Sequence, residues 1–411
     1  MSEKPQKQYK ENPADVEAGK WLDEQKELAP RRRGADLALL ISMCLIIAVF
    51  GILIFALPSE VFSYDENRVL ADFPSFNIES LMSGEFTSGI GEFYADRFPA
   101  RNVFVGVKAL AEKLLLKGEN NGVIEGDDGY LVERLEYTDA EYENIRASMN
   151  AIERFVKANP DCDVSVALLP RAVDVMTSKL PRLYSTERAK MAFEVAKGAY
   201  PNVIYLTEML KSRADAGEYV WYKTDHHYTT LGAYYTYVEL GKTLGYEPYP
   251  LDHFTKEVIS TEFLGTTYSS SGMKWASGDD FTLFRFEGDE NYTVSYPNST
   301  VESFSGFYRE EFFTQKDKYS AFLGGNRGRT SISLNGGEGR PTLMIFKDSF
   351  SHSLVPFLSL HFDIELVDLR YCQSSSAKLL SEIAPDKVLI LYGIDTLAVS
   401  NDAVKIVFGI K

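Results

Sequence analysis

Residues 37–57 run twenty-one positions without a charged side chain, and no other stretch restricts the fold of this chain so strongly. In hydrocarbon every backbone amide must be satisfied inside the segment, so such a run crosses a bilayer only as a helix. At 1.5 Å per residue it would reach about 31 Å, enough for a hydrocarbon core. Arg31, Arg32 and Arg33 precede it, and Glu60, Asp65 and Glu66 follow it. Cationic flanks stay in the cytoplasm, which places residues 1–34 inside, an anchor at 35–57, and the rest of the chain outside. Phe55-Ala56-Leu57-Pro58 lacks a small-x-small cleavage pattern, so the run reads as an uncleaved signal anchor. The expected localisation is therefore a single-pass cell-membrane protein with a cytoplasmic N-terminus and an extracytoplasmic C-terminal domain.

Residues 1–34 mix charges of both signs with little apolar content and are expected to be a disordered tail, save for a short helix over 18–28. The formal net charge of −16 over 411 residues lies almost wholly in the external part. It argues against nucleic acid or a polyanionic polymer held on a broad basic surface and suits a neutral or locally cationic polysaccharide. Of three cysteines, Cys44 lies in the anchor. Cys162 and Cys372 each flank an expected strand, so a disulfide between them is conceivable. There is no Cys-x-x-Cys and there are five histidines, which gives no grounds for a structural zinc or another cofactor.

Beyond the anchor, 58–135 reads as a membrane-proximal segment of helix (94–116) and hairpin (123–131, with an Asp-Gly turn). In 136–411, strand-like runs at 164–169, 203–206, 342–346, 364–367 and 387–392 alternate with helical patterns at 140–158, 187–198, 231–244 and 374–383. That alternation predicts an α/β fold, a doubly wound parallel sheet. Residues 246–340 break the rhythm with alternating runs such as 281–286 and 292–296, and are expected to be a β-rich insertion.

Two motifs carry chemistry. Thr224-Asp225-His226-His227-Tyr228-Thr229 precedes the 231–244 helix, and Lys347-Asp348-Ser349-Phe350 follows the apolar run 342–346. Together they hold a carboxylate, an imidazole and a hydroxyl. A serine hydroxyl is a poor nucleophile unless a neutral His takes its proton and an acid fixes that His. Each motif also has a plainer explanation: Thr224 or Asp225, and Asp348 or Ser349, are good helix N-caps. A metal reading needs His226, His227 and a distant ligand such as His352 to converge, with no HExxH to support it. Trp275, in an aromatic and hydroxyl-rich stretch, suits a sugar face or ordinary packing.

These stretches resemble the DHHW family of bacterial membrane-anchored proteins, itself similar to the SGNH-hydrolase-like alginate O-acetylation proteins. Glu66-Asn67-Arg68-Val69-Leu70, Asp96-Arg97-Phe98-Pro99-Ala100-Arg101, Asn121-Gly122-Val123 with Gly129-Tyr130-Leu131, Lys318–Asn326 and both motifs carry the resemblance. It implies Asp225 as orienting carboxylate, His227 as base and Ser349 as nucleophile, with His226 in the variable middle position. Two departures stand out: Tyr228 where the family name has Trp, and Lys347 where the SGNH nucleophile block has Gly, which sets bulk and charge beside the nucleophile. Asn326, in Gly324-Gly325-Asn326, has the amide needed for a second oxyanion donor, while Gly-Gly-Asn equally suits a turn. The resemblance implies a serine-dependent O-acetyltransferase or acetylesterase acting on cell-surface polysaccharide, with a membrane-bound O-acyltransferase as acyl-donor partner. The alternative is a catalytically silent glycan-binding or scaffold subunit of a cell-envelope polysaccharide modification complex.

Overall fold

The structure, a computed structural model, describes residues 13–57, 61–63, 68–135, 137–297 and 299–409. The first twelve residues of the tail, Glu60, and Asp65, Glu66 and Asn67 lie outside the described residues. One helix runs Pro13–Ala56, so 13–34, expected to be disordered outside 18–28, is helical. A proline at the first helical position loses no hydrogen bond, and the Ala, Glu, Lys and Leu that follow are good helix formers. Within it, Gly34–Ala56 is long and apolar enough to cross a membrane and buries none of its most apolar stretch against the protein.

The chain divides into two compact units, Met1–Ser63 with Val69–Val103, and Tyr64–Arg68 with Phe104–Lys411. The stretch 58–135, expected as one segment, is therefore shared between them. In the first unit Asn77 caps the helix Ile78–Ser83, accepting the Ser80 amide at 2.7 Å, and Gly84 (φ 84°) turns the chain into Glu85–Asp96. The helix expected over 94–116 is broken: Glu85–Asp96 ends before Pro99, which disfavours helical geometry in its predecessor, and a new helix spans Arg101–Leu114.

The second unit is built on an eight-stranded sheet. In chain order its strands are β1 (Asp163–Leu169), β2 (Ile204–Tyr205), β3 (Tyr292–Ser295), β4 (Phe304–Ser305), β5 (Arg329–Leu334), β6 (Thr342–Lys347), β7 (Asp363–Val367) and β8 (Lys387–Gly393). Their spatial order is β4-β3-β5-β7-β6-β8-β1-β2. β7, β6, β8, β1 and β2 are parallel, as expected. β5 pairs antiparallel with β7, and β3 and β4 follow it. Part of the region 246–340 thus extends the main sheet instead of standing apart as an insertion, and the sheet is mixed. β5 satisfies the N–H and C=O groups that β7 would otherwise leave on an open edge. Thr255–Phe263 and Asp279–Arg285 form a separate antiparallel strand pair in this region.

Period-two alternation gives the sheet two apolar faces. Leu343 and Ile345 of β6, Leu389 and Leu391 of β8, and Ala167 and Leu169 of β1 join one core with the helix Thr230–Leu244. Met344, Phe346, Val388, Ile390, Val166 and Leu168 join the other with Asp139–Ala158, Glu187–Ala199 and Ser376–Ile383. Helices on both faces make the architecture doubly wound. Cys162 and Cys372 are both free, which corrects the conceivable disulfide. Cys162 precedes the start of β1 and Cys372 follows the end of β7, and in parallel strands those are opposite rims of the sheet.

Candidate active site

Ser349 leaves the carboxyl end of β6, near the middle of the sheet, at the kind of strand-to-helix turn where open α/β sheets bind ligands. It opens a short 3-10 helix, Ser349–Ser353. Asp348, fully buried, caps that helix by accepting the Phe350 amide at 3.1 Å, and its other oxygen accepts the Gly393 amide at 2.6 Å and the Thr396 hydroxyl at 2.8 Å. The capping reading thus holds for Asp348, and it leaves the half-buried Ser349 hydroxyl free to react.

Neither Thr224 nor Asp225 caps the next helix. Thr229 does, accepting the Gly232 amide at 3.2 Å. Asp279 instead clamps the loop before the motif: its carboxylate accepts the Lys223 and Thr224 amides, both at 2.8 Å, and the hydroxyls of Thr224 and Tyr219. Held so, Asp225 and His227 turn to the same side. His227 Nδ1–H donates to Asp225 Oδ1 at 2.6 Å, and His227 Nε2 accepts the Ser349 hydroxyl at 2.8 Å. The second Asp225 oxygen accepts the Thr266 amide at 2.9 Å and the Thr266 hydroxyl at 3.2 Å.

Electrostatics suit this arrangement. Burial works against an Asp225 carboxylate, but His227, His226 and the Thr266 amide outweigh it and hold its pKa well below the usual range. For His227, burial and then the neighbouring His226 pull the pKa down to about 4, against the opposing pull of Asp225. The ring is therefore neutral at neutral pH, the form a general base needs. A general-base role for His227 predicts that kcat/KM for an acyl ester stays level from about pH 8 to about pH 6 and falls as pH drops through about 4, where the ring becomes protonated. A pH–rate profile checks this, and a fall centred near the ordinary histidine value would contradict it.

The remaining sequence candidates separate. His226, half-buried, sits with its ring centroid 3.8 Å from that of His227, its Nδ1 at 2.5 Å from the Thr266 hydroxyl. Tyr228 is fully buried and donates to the Phe350 carbonyl at 2.7 Å, tying the two motifs together instead of meeting substrate. Trp275 donates its indole N–H to Glu125 at 2.9 Å, and the Lys113 ammonium lies 4.5 Å from its ring centroid. Those partners occupy the groups a sugar would need. Lys347 is buried, its ammonium on Asn326 Oδ1 (3.1 Å), His352 Nε2 (2.7 Å) and Asp368 Oδ2 (3.2 Å), so its charge is turned into the protein and not toward the Ser349 hydroxyl. Asn326 is exposed. Ligand atoms of Asp225, His226 and His227 lie within 4.8 Å of one another, but the His227 nitrogens are engaged as above and His352 faces Lys347, so the three histidines do not converge on one metal position.

The structure adds residues that the sequence reading left without a role. The Tyr319 ring stacks on His227 at 3.7 Å and 6°, and Phe350 meets the imidazole edge-on at 4.9 Å, so both rings hold it in place. Tyr319 Oη also donates to the Ser349 carbonyl at 3.2 Å. It lies in the 318–326 stretch, whose resemblance was the signal that could have found it. Gly265 packs directly on Asp225; a Cβ there would come within 2.3 Å of its carboxylate.

The chain is similar to several solved structures, the first two of which share its fold. A DHHW family protein from Eubacterium siraeum is 23% identical with a TM-score of 0.58, over 70% of this chain and 95% of that one. Bacillus cereus PatB1 carrying a sulfonyl adduct is 20% identical with a TM-score of 0.56, over 68% and 97%. The O-acetyltransferase domain of Pseudomonas putida AlgJ is 14% identical with a TM-score of 0.44, over 68% and 93%. The architecture is thus SGNH-hydrolase-like α/β with an N-terminal apolar helix. No curated protein matches the sequence. The profile of the family described as DHHW protein matches residues 138–367, more than half the chain and both motifs, and the chain belongs to the DHHW family.

Proposed function

We propose that the protein is a membrane-anchored, extracytoplasmic O-acyltransferase or esterase that modifies cell-surface polysaccharide through an acyl-Ser349 intermediate. One observation carries the reading: the unbroken Asp225–His227–Ser349 hydrogen-bond chain, with a neutral base and a half-buried hydroxyl. His227 Nε2 takes the Ser349 proton as Oγ bonds to the acyl carbonyl carbon. The carbonyl becomes an oxyanion, stabilised by the Ser349 amide and a neighbouring donor. Collapse releases the donor's leaving group, which takes the proton from His227. His227 then deprotonates the acceptor as it attacks acyl-Ser349, and returns that proton to Ser349 Oγ as the acyl–Oγ bond breaks: a sugar hydroxyl gives transfer, water gives hydrolysis. The anchor at Gly34–Ala56 with its cationic N-terminal flank supports an external catalytic domain. A membrane-bound O-acyltransferase as acyl donor rests on the family resemblance. Lys347, the residue that best favoured a silent scaffold, is paired and buried, and that reading loses its main support.

The test is mass spectrometry of the full chain after exposure to a sulfonyl fluoride and to an acyl ester reporter, the first chosen because PatB1 has been seen with a sulfonyl adduct. An adduct on the Ser349 peptide and ester turnover, both absent in Ser349→Ala, are expected. A chain that binds polysaccharide but gives neither would establish the scaffold reading instead.

A further inference from the structure

We propose that the cavity beside β2 is a binding subsite for a neutral oligosaccharide, gripping an acceptor chain several sugars away from the hydroxyl that meets Ser349. The inference rests on the transfer reaction proposed above and adds where the polymer is held.

Sheet register fixes the placement. Lys347 of β6 lies opposite Leu391 of β8, Leu391 opposite Ala167 of β1, and Ala167 opposite Ile204 of β2. Ser349 stands two residues past Lys347, and Tyr205 and Thr207 stand one and three past Ile204, so all leave the same carboxyl-end rim of parallel strands. Three strand spacings of about 4.8 Å separate them, roughly 14 Å in all. An oligosaccharide spans that distance and a single sugar does not. A small hollow is lined both by His226, whose ring packs on His227, and by Arg171, Ala172 and Val173, which lead to Asp174.

The cavity has a volume of about 640 Å³, well within the range of ligand sites. Its walls come from the helices Glu187–Ala199 and Thr207–Asp215 and the turn after β1. Three ammonium and three carboxylate groups line it, so their charges balance and select neither an anion nor a cation. Phe193 and Tyr205, with ring centroids 6.1 Å apart, offer apolar surface to the C–H face of a sugar. Asp174, 7% exposed, accepts the Arg171 amide at 3.0 Å through one oxygen, and its other oxygen has no hydrogen-bond partner among the described residues. Burial pushes its pKa up to about 6, as expected of a carboxylate short of donors. A sugar hydroxyl is a neutral donor that supplies one. Lys190 and Lys197 are exposed and form no ion pair among the described residues, which leaves their N–H groups for sugar oxygens.

The test is calorimetric titration of the full chain in detergent, carrying Ser349→Ala so that nothing turns over. The probes are glucose, galactose and N-acetylglucosamine oligomers of one to six sugars, beside galacturonate and glucosamine oligomers. Affinity for a neutral series is expected to rise with length. Tyr205→Ala, and Lys190→Ala combined with Lys197→Ala, are each expected to weaken binding of the long neutral oligomers about tenfold, the worth of one hydrogen bond to a charged group, and to weaken that of the single sugar less. Affinity independent of length, a preference for a charged series, binding of no oligomer, or variants that bind as the parent does overturns the inference. If a thermal melt shows Tyr205→Ala unfolded, the lysine variant decides, since both its side chains are exposed. Absence of turnover and of a Ser349 adduct in the wild-type chain would instead sink the catalytic reading, while the titration still reports the saccharide site.

Discussion

His227→Ala is expected to lower ester turnover by about four to six orders of magnitude, with Ser349→Ala equally damaging and the double variant no worse than either. His227 Nε2 is placed to receive the Ser349 proton, at 2.8 Å, while its other nitrogen is bonded to Asp225. Without the ring the serine keeps its proton, and without the serine the ring has nothing to activate, so the losses do not add. The side chain is buried against Tyr319 and Phe350, so its removal leaves a cavity and some destabilisation. His227→Gln fills more of that space, and thermal unfolding followed beside kinetics separates loss of fold from loss of chemistry. Additive losses, or a folded His227→Gln that retains turnover, would remove His227 from the role of base.

Gly265→Ala is expected to be nearly as damaging although residue 265 carries no chemistry. A methyl at that position would sit 2.3 Å from both Cβ and Oδ2 of Asp225, far inside contact distance. Asp225 must shift, and the bonds it makes to His227 and to Thr266 shift with it. The loss should approach that of Asp225→Asn, about 10⁴ in kcat by analogy with triads that lose the orienting acid. Displacing a buried carboxylate from its donors also costs stability, about 1–3 kcal/mol for each group left unpaired. Kinetics and a thermal melt of Gly265→Ala beside Asp225→Asn provide the check, and near-wild-type kcat in a folded Gly265→Ala would show that the Asp225–His227 bond matters less than its geometry suggests.

Much of this was legible in the chain. The runs 342–346, 364–367 and 387–392 were recognisable as buried parallel strands because both faces of the sheet are covered and nearly every residue is apolar. The long helix 139–158 announced itself by period. Asp225, His227 and Ser349 stood out because so few histidines are present and because each motif lies at an element boundary. β5 did not show its place: Arg329–Leu334 alternates like any half-exposed strand, and nothing local says that it closes the β7 edge. Trp275 stayed open for a related reason, since an indole in a hydroxyl-rich loop looks the same from sequence whether it meets a sugar or Glu125.

The roles of Tyr319, Gly265, Asp279 and Lys347 were the least visible. Each acts through a partner some twenty to ninety positions away along the chain, apart from the short Lys347–His352 step. A residue of this kind carries no local period and no characteristic spacing.

By itself, then, the sequence determined the long apolar helix, the alternation that folds into a doubly wound sheet, and the residue types able to move an acyl group. Those follow from short-range rules, namely hydrocarbon length, side-chain period and intrinsic acid–base chemistry. The tertiary structure alone decided that Thr229 rather than Asp225 caps the helix, that Lys347 faces inward, and that His227 and Ser349, 122 residues apart, meet at 2.8 Å. The physical reason is that a hydrogen bond's direction and a charge's surroundings exist only once the packed chain has brought distant groups together.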